Sequence, residues 1–279
     1  MSLGGYQDKL CVAMPRLESE DARVGADGVL VPRGGAPSTH ILKPEPPSYP
    51  GAAESEAWAM TVASRAARCS KAALLNLEGG PATLVVERYD RIGNGWPRGA
   101  ARVHQEDACQ ALGLPPHRKY ASRRALGDDP TYKGIADLLV RYSVDPEREL
   151  SELLRQLVVN LALGNWDAHA KNTSLLYEQL AVPAVAPMYD VVPVAEIEPR
   201  TTVLSMRVGE SLDPAAITRG LLLAEAESWG LENERANSVI DECEANIERG
   251  LDTARKRYPT AAEHHDANAR SRLQRLARL

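Results

Sequence analysis

No run of about 18 consecutive apolar residues occurs in the 279-residue chain, so no membrane-spanning helix is expected. The first residues lack a basic stretch leading into an apolar core, and no secretory signal is read there. Cysteine is scarce. Cys11, Cys69, Cys109 and Cys243 are scattered without C-x-x-C spacing, which argues for reduced thiols against a disulfide framework or a zinc site. Basic residues are not in excess either: 33 Lys and Arg against 38 Asp and Glu leave a net charge of −5. That balance argues against autonomous binding to nucleic acid or to an anionic membrane. No internal repeat is present. The expectation is a soluble, cytoplasmic protein long enough for one large domain or two small lobes with a real core.

What the chain does have is a polar stretch, Leu163-Gly164-Asn165-Trp166-Asp167-Ala168-His169-Ala170-Lys171-Asn172, followed by an isolated aspartate in Met188-Tyr189-Asp190. Asp167 and Asn172 have four residues between them. This is the spacing of the kinase catalytic loop, in which the Asp orients and deprotonates a hydroxyl and the Asn holds a magnesium ion. Phosphoryl transfer needs one carboxylate near the attacking oxygen and oxygen ligands around Mg²⁺, and Asp190 would be the second such ligand. Alone the pattern is weak, because Asp and Asn are common turn formers. Its neighbours supply context. Upstream, Leu150, Leu153, Leu154, Leu157, Val158 and Leu161 recur at helical spacing, predicting a buried helix that stops near Gly164. Downstream, Thr173 to Tyr177 and Val185 to Val191 read as β-rich runs around a turn.

Earlier in the chain, Gly4 and Gly5 precede an apolar strand that reaches Met14. They either present N–H groups to an anion or form an ordinary turn. Residues 16 to 37 look like a hairpin with a long connection. Ser38 to Pro44 is a short strand ending in Lys43, which either reaches nucleotide phosphates or closes the strand at the surface. A helix from Ala53 to Arg68 carries Glu56, readable as a partner for Lys43 or as a charge favourable to the helix dipole. Leu84 to Tyr89 is a strand that turns polar at Asp90-Arg91, as a hinge between lobes would. A helix is expected over Arg102 to Gly113, and residues 115 to 133 are loop-like, with Lys119-Tyr120 as turn chemistry. Helices follow at 134–142, 149–163, near 214–229 and from Asn233 to Tyr258. The last has a core stripe of Ala236, Val239, Ile240, Cys243, Ile247 and Leu251. After Pro259, arginines alternate with Leu273, Leu276 and Leu279, which reads as a peripheral helix or frayed end.

Taken together, these pieces resemble the HipA-type toxin kinases of bacterial toxin–antitoxin systems. The matching segments are Ser2-Leu3-Gly4-Gly5-Tyr6-Gln7-Asp8-Lys9, Thr39 to Lys43, Val86 to Arg91, His104-Gln105-Glu106-Asp107 through Leu112-Gly113, Asp167 to Asn172, and Tyr189-Asp190. The resemblance implies an α+β, two-lobed fold like that of protein and phosphoinositide kinases. Residues 1–92 would form a small mixed N-lobe, 100–258 a mainly helical C-lobe, and 259–279 a tail. It implies ATP and Mg²⁺ as cofactors and Ser/Thr phosphorylation of a cytosolic protein, with an aminoacyl-tRNA synthetase as the expected substrate class. A helix-turn-helix antitoxin would be the partner, with DNA bound only indirectly through it.

Carried over residue by residue, Gly4, Gly5, Tyr6, Gln7, Asp8 and Lys9 would form the phosphate loop, and Lys43 would be the phosphate lysine. Glu87, Arg88 and Tyr89 would form the adenine hinge. Asp167 would be the base, and His169, Ala170, Lys171, Asn172, Tyr189 and Asp190 further nucleotide contacts, with Asn172 and Asp190 on the metal. Ser2 falls where the family carries an autophosphorylated serine. Two departures stand out. Longer members place a subdomain before the Gly loop, whereas this chain starts inside it, so a truncated form or a separate preceding polypeptide is expected, with a mobile loop and weak nucleotide binding in the isolated chain. Ala168 stands where the family commonly has Gly, which is tolerable unless the backbone there needs positive φ. A small-molecule phosphotransferase of the aminoglycoside-kinase kind and an inactive kinase-like binding subunit are the alternatives.

Overall fold

The computed structural model describes residues 8–15, 17, 29–76, 80–93, 100–122, 127, 129–178, 182–198 and 201–278. The N-terminal part is built on an antiparallel sheet of β1 (Leu10–Val12), β2 (His40–Pro44), β3 (Ala72–Asn76) and β4 (Ala82–Glu87), in the order β1-β2-β4-β3. Side chains alternate across a strand, and β2 uses that alternation to serve two faces. Leu42 joins Val12, Met14, Leu75 and Val85 in a small apolar cluster. Ile41 and Lys43 turn the other way, into a cleft. The register sets Ile41 opposite Val86 and Lys43 opposite Leu84. Strand β3 has no counterpart in the expectations above. Ala-Ala-Leu-Leu-Asn holds no β-branched or aromatic residue, so pairing with β4 decides its state against local propensity. Helix α1 (Ala52–Ala66) lies between β2 and β3 in sequence. The Glu45 carboxylate accepts from the N–H groups of Gly51 and Ala53 at 2.9 and 3.3 Å, satisfying donors that a helix start leaves open.

A ribbon of β5 (Arg91–Ile92) and β6 (Ala101–Arg102) leads into a second sheet, β7 (His104–Asp107), β8 (Ser174–Tyr177) and β9 (Ala184–Val185), in that order. The helix expected over Arg102 to Gly113 is therefore confined to one turn, α2 (Ala108–Ala111), and His104–Asp107 before it is strand. β8 captures β7, with His104 opposite Tyr177 and Asp107 opposite Ser174. Asp107 then starts α2 through a reciprocal capping box with Gln110, both bonds at 3.0 Å. The strand expected from Val185 to Val191 is also shorter, because beyond β9 the chain leaves β8 and the Met188 N–H bonds to the Arg68 carbonyl at 2.8 Å.

The remaining helices are α3 (Tyr132–Tyr142), α4 (Pro146–Leu163), α5 (Val194–Ile197), α6 (Arg219–Ser228), α7 (Asn233–Arg257) and α8 (Pro259–Leu276). The apolar positions foreseen on α4 are all buried. Asp145 and Pro146 begin this helix, and Gly164, at φ 69°, ends it. On α7 the six-residue core stripe is fully buried. Here α1 crosses so closely that a Cβ on Gly250 would lie 2.9 Å from the Val62 carbonyl oxygen. The segment expected as a peripheral helix or frayed end is a helix, α8, but not a peripheral one: Ala261, Ala262, His265, Asp266, Ala269, Leu273 and Leu276 are buried. These residues recur at steps of three and four, so one face of the helix is core while the arginines take the other positions. Among the described residues no helix is long and apolar enough to cross a membrane.

Candidate active site

The two sheets and the polar loop after α4 enclose a cleft of about 350 Å³. At its centre is Lys43, whose Nζ donates to Glu56 Oε1 and to Asp190 Oδ1, both at 2.5 Å. The side chains are 6%, 3% and 14% exposed, so three charges share a nearly dry site. Burial alone would push the Lys43 ammonium down, but Asp190 and Glu56 outweigh it and hold it well above its usual range. Burial likewise pushes both acids up. For Asp190 the fields of Lys43 and Lys9 win and keep it ionised well below the ordinary carboxylate range. Glu56 stays raised, so of the two it protonates first. Asp190 is also the one non-glycine residue with positive φ, 58°, among those described. A backbone held there is uncommon and concentrates at functional sites.

The cleft wall beyond β4 is fixed by charge and stacking. Arg88 grips Asp90 with Nε and Nη2 at 3.0 and 2.8 Å, and Arg91 Nη1 adds a third bond at 2.7 Å. Tyr89 stacks on Tyr189, centroids 5.6 Å apart at 29°, and donates its hydroxyl to Gln105 Oε1. Burial pushes the Tyr89 phenol up to about 12, so it stays a neutral donor. Tyr189 in turn donates to the Lys171 carbonyl at 2.7 Å.

The loop between α4 and β8 is closed by its own backbone. The N–H of His169 bonds to the Asp167 carbonyl and that of Asn172 to the His169 carbonyl, both at 2.7 Å, and the Asn172 amide donates to the Asp167 carbonyl at 3.3 Å. The half-buried Asp167 carboxylate accepts from the Tyr120 hydroxyl at 3.1 Å and from Ser205 Oγ at 3.4 Å. His169 Nε2 lies 2.7 Å from the Lys119 ammonium. Burial, then that ammonium, lowers the imidazole to about 4, so it is a neutral acceptor at neutral pH. Lys171 pairs with Asp107 at 2.5 Å, tying the loop to the cap of α2. Ala168 does not have positive φ, so its methyl imposes no backbone strain.

Residues 1–251 match the model of the HipA-like C-terminal domain family. The chain belongs to this family. Among relatives of this HipA-like domain, Y4mE of Sinorhizobium fredii, named as a kinase, is 33% identical over 279 residues, covering 98% of this chain and 65% of that protein. The serine/threonine-protein kinase toxin HipA of Shewanella oneidensis is 30% identical over 155 residues, 53% of this chain and 35% of that protein. The chain thus spans 65% or less of these relatives' lengths. A chain in the solved complex of the Shewanella oneidensis MR-1 toxin–antitoxin proteins HipA and HipB with operator DNA matches with a TM-score of 0.83 at 23% identity, over 99% of this chain and 65% of that one. At that identity the likeness speaks for fold, and the fold is the two-lobed, kinase-like α+β architecture expected from the sequence.

Of the residues singled out by sequence in this HipA-like domain, Lys9, Lys43, Glu87, Arg88, Tyr89, His169, Lys171, Asn172, Tyr189 and Asp190 line the one cleft. Asp8 is exposed and outside its lining, and Asp167 is outside it too, on the loop that carries His169, Lys171 and Asn172 into the cleft. Ala170 is fully buried in the core, its N–H on the Lys119 carbonyl, so it faces away. Ser2, Gly4, Gly5, Tyr6 and Gln7 lie outside the described residues. Glu56, left open between two roles, is the partner of Lys43. Lys119, Tyr120 and Ser205 were missed as site residues, since a Lys-Tyr pair in a loop and a lone serine 38 residues beyond Asp167 carry no local signal. The donor set suits a magnesium ion. Asp190 Oδ2 and the Asn172 side-chain oxygen have no hydrogen-bond partner among the described residues, and both residues line the cleft. No group of three or more His, Cys, Asp or Glu placed to hold a metal occurs there, so the other ligands would be phosphates and water.

Proposed function

We propose that this HipA-like domain is an ATP-dependent serine/threonine protein kinase acting as the toxin of a toxin–antitoxin system. The observation that carries the reading is the buried Lys43 held by both Glu56 and Asp190 in the cleft that Asn172 also lines. A lysine kept charged and fixed by two acids is a point charge for nucleotide phosphates. Lys9, beside it in the cleft, adds a second cation. Asn172 and Asp190 would hold Mg²⁺, which supplies charge neutralisation of the transferring phosphoryl group. Asp167 takes the proton of the attacking serine or threonine hydroxyl, held in place by Tyr120 and Ser205. The segment from Glu87 to Tyr89 borders the adenine, and Gly4 to Lys9 cover the phosphates. Ser2 is the self-modified serine. An aminoacyl-tRNA synthetase is the proposed substrate class and a helix-turn-helix protein the antitoxin, both in the cytoplasm; the relatives' names support the toxin part of this reading. The test is transfer of label from γ-labelled ATP with Mg²⁺ to the chain and to proteins of a cell extract, wild type against Asp167→Asn. Loss of a positioned base should cost on the order of 10²- to 10⁴-fold in rate. Equal transfer by a folded Asp167→Asn variant removes the base assignment.

A further inference from the structure

Helix α8 lies beyond residue 251, where the family match ends, and the site described so far does not use it. Its buried side is nevertheless polar at three places, which reach α1 and α5. Midway along it, His265 Nε2 meets Ser55 Oγ at 2.9 Å, and Asp266 accepts from the Trp58 indole at 3.0 Å. Ser55 and Trp58 flank Glu56 on α1. Near its end, Arg272 makes an ion pair with Glu196 on α5, both side chains largely buried at 12% and 15% exposure. The same guanidinium lies over the Trp166 ring, 5.6 Å from its centroid. Trp166 immediately precedes Asp167, and its buried Nε1 has no hydrogen-bond partner among the described residues, so packing alone sets the ring.

Gly164 records how tightly this is built. A Cβ there would lie 2.8 Å from Arg272 Nη1 and 2.9 Å from Ala195 Cβ. The turn that launches the Asp167 loop is thus pressed between α8 and α5, and the Ala195 N–H bonds to the Gly164 carbonyl at 3.1 Å. Glu196 follows Asp190 by six residues. A single arginine therefore touches the start of the base-bearing loop and the segment after the second proposed metal ligand, on a helix anchored to the one that carries Glu56.

We infer that Arg272 is a positioning residue: with α8 as a splint, it sets the Trp166–Asp167 turn and so the place of the proposed base. This rests on the kinase reading for its kinetic consequence but not for its geometry. The informative variant is Arg272→Lys. It keeps a cation for Glu196 but loses the planar guanidinium that lies over the Trp166 ring. Displacement of a catalytic group by about 1 Å can cost on the order of 10²-fold, so transfer at saturating ATP should fall by roughly 10- to 100-fold. The ATP concentration for half-maximal rate should move little, since the residues lining the cleft are untouched. Hydrogen exchange over residues 165–172 of the full chain should quicken in the variant, whether or not any phosphate is transferred. A second variant, Arg272→Met with Glu196→Gln, removes both charges together and leaves none stranded if the lysine variant proves unstable. Below its melting temperature it should show the same selective loss of rate and the same faster exchange. Wild-type rate and wild-type exchange in either folded variant overturn the inference. If wild type transfers no phosphate, the kinase reading fails and the exchange measurement alone decides the role of Arg272.

Discussion

Around Lys43, three charged side chains are buried against one another at 2.5 Å, whereas the half-buried Asp167 carboxylate accepts from neutral hydroxyls, those of Tyr120 and Ser205, at 3.1 and 3.4 Å. The first arrangement binds a charge firmly and makes fold and function depend on the same atoms. The second sets a carboxylate against hydroxyl contacts longer and weaker than those of Lys43, ones that a substrate hydroxyl could replace. Stability and chemistry should therefore separate at position 167 and coincide at position 43.

The sharpest way to break that comparison is Lys43→Met. It leaves Glu56 and Asp190 buried without their cation, and breaking such a pair costs about 3 to 5 kcal/mol. Chemical denaturation should show this loss, partly recovered by adding Glu56→Gln, while transfer stays absent in both variants. Asp167→Asn is the counterpart, with the large rate loss given above. Its denaturation midpoint should stay close to wild type, because an amide can still accept from Tyr120 and Ser205. A large stability loss there would erase the distinction. Next in size is Asp190→Ala. A ligand at 100 times its dissociation constant raises stability by about 2.7 kcal/mol, and the Mg²⁺-dependent share of ATP's effect in a melting assay should vanish in this variant. An unchanged Mg²⁺ effect moves the metal elsewhere. The smallest effect concerns His169. Its folded value, lowered to about 4 by burial and by Lys119, lies below the unfolded value near 6.5, so between these pH values the unfolded chain binds a proton that the folded chain does not. Stability should fall as pH drops through that window. His169→Asn should flatten the fall by about 1 to 3 kcal/mol. His40, also lowered to about 4 by burial, should keep part of the slope in the variant.

The Asp167-to-Asn172 spacing, Asp190, helix α4 with its stop at Gly164, and the core stripe of α7 were legible because each is a local pattern. What sequence left open or missed depends on pairing across long distances. Whether Glu56 met Lys43 could not be settled by a first-turn reading, since it is the buried contact that selects the role. β3 and β7 owe their state to β4 and β8, and neither has a composition that announces a strand. On α8 the stripe of Ala262, His265, Ala269, Leu273 and Leu276 is present in the sequence, but small and polar residues make up part of it, so its apolar period is weak without the partner helices. Lys119 and Tyr120 reach the site only because the loop before α3 folds back, with the Lys119 carbonyl accepting from Ala170 and the Ala121 N–H bonding to the Ser205 carbonyl.

The φ of 58° at Asp190 also bears on how this position can vary. Only Gly, Asn and Asp adopt that backbone at low cost. Single-base changes from an aspartate codon reach Asn and Gly, which fit the backbone but discharge the pair with Lys43. They also reach Glu, which keeps the charge but moves it one methylene outward on a backbone it resists. Each neighbouring genotype fails in one requirement or the other, so position 190 is an isolated point in sequence space, and a saturation library at this codon scored in vitro for phosphoryl transfer should retain activity with aspartate alone.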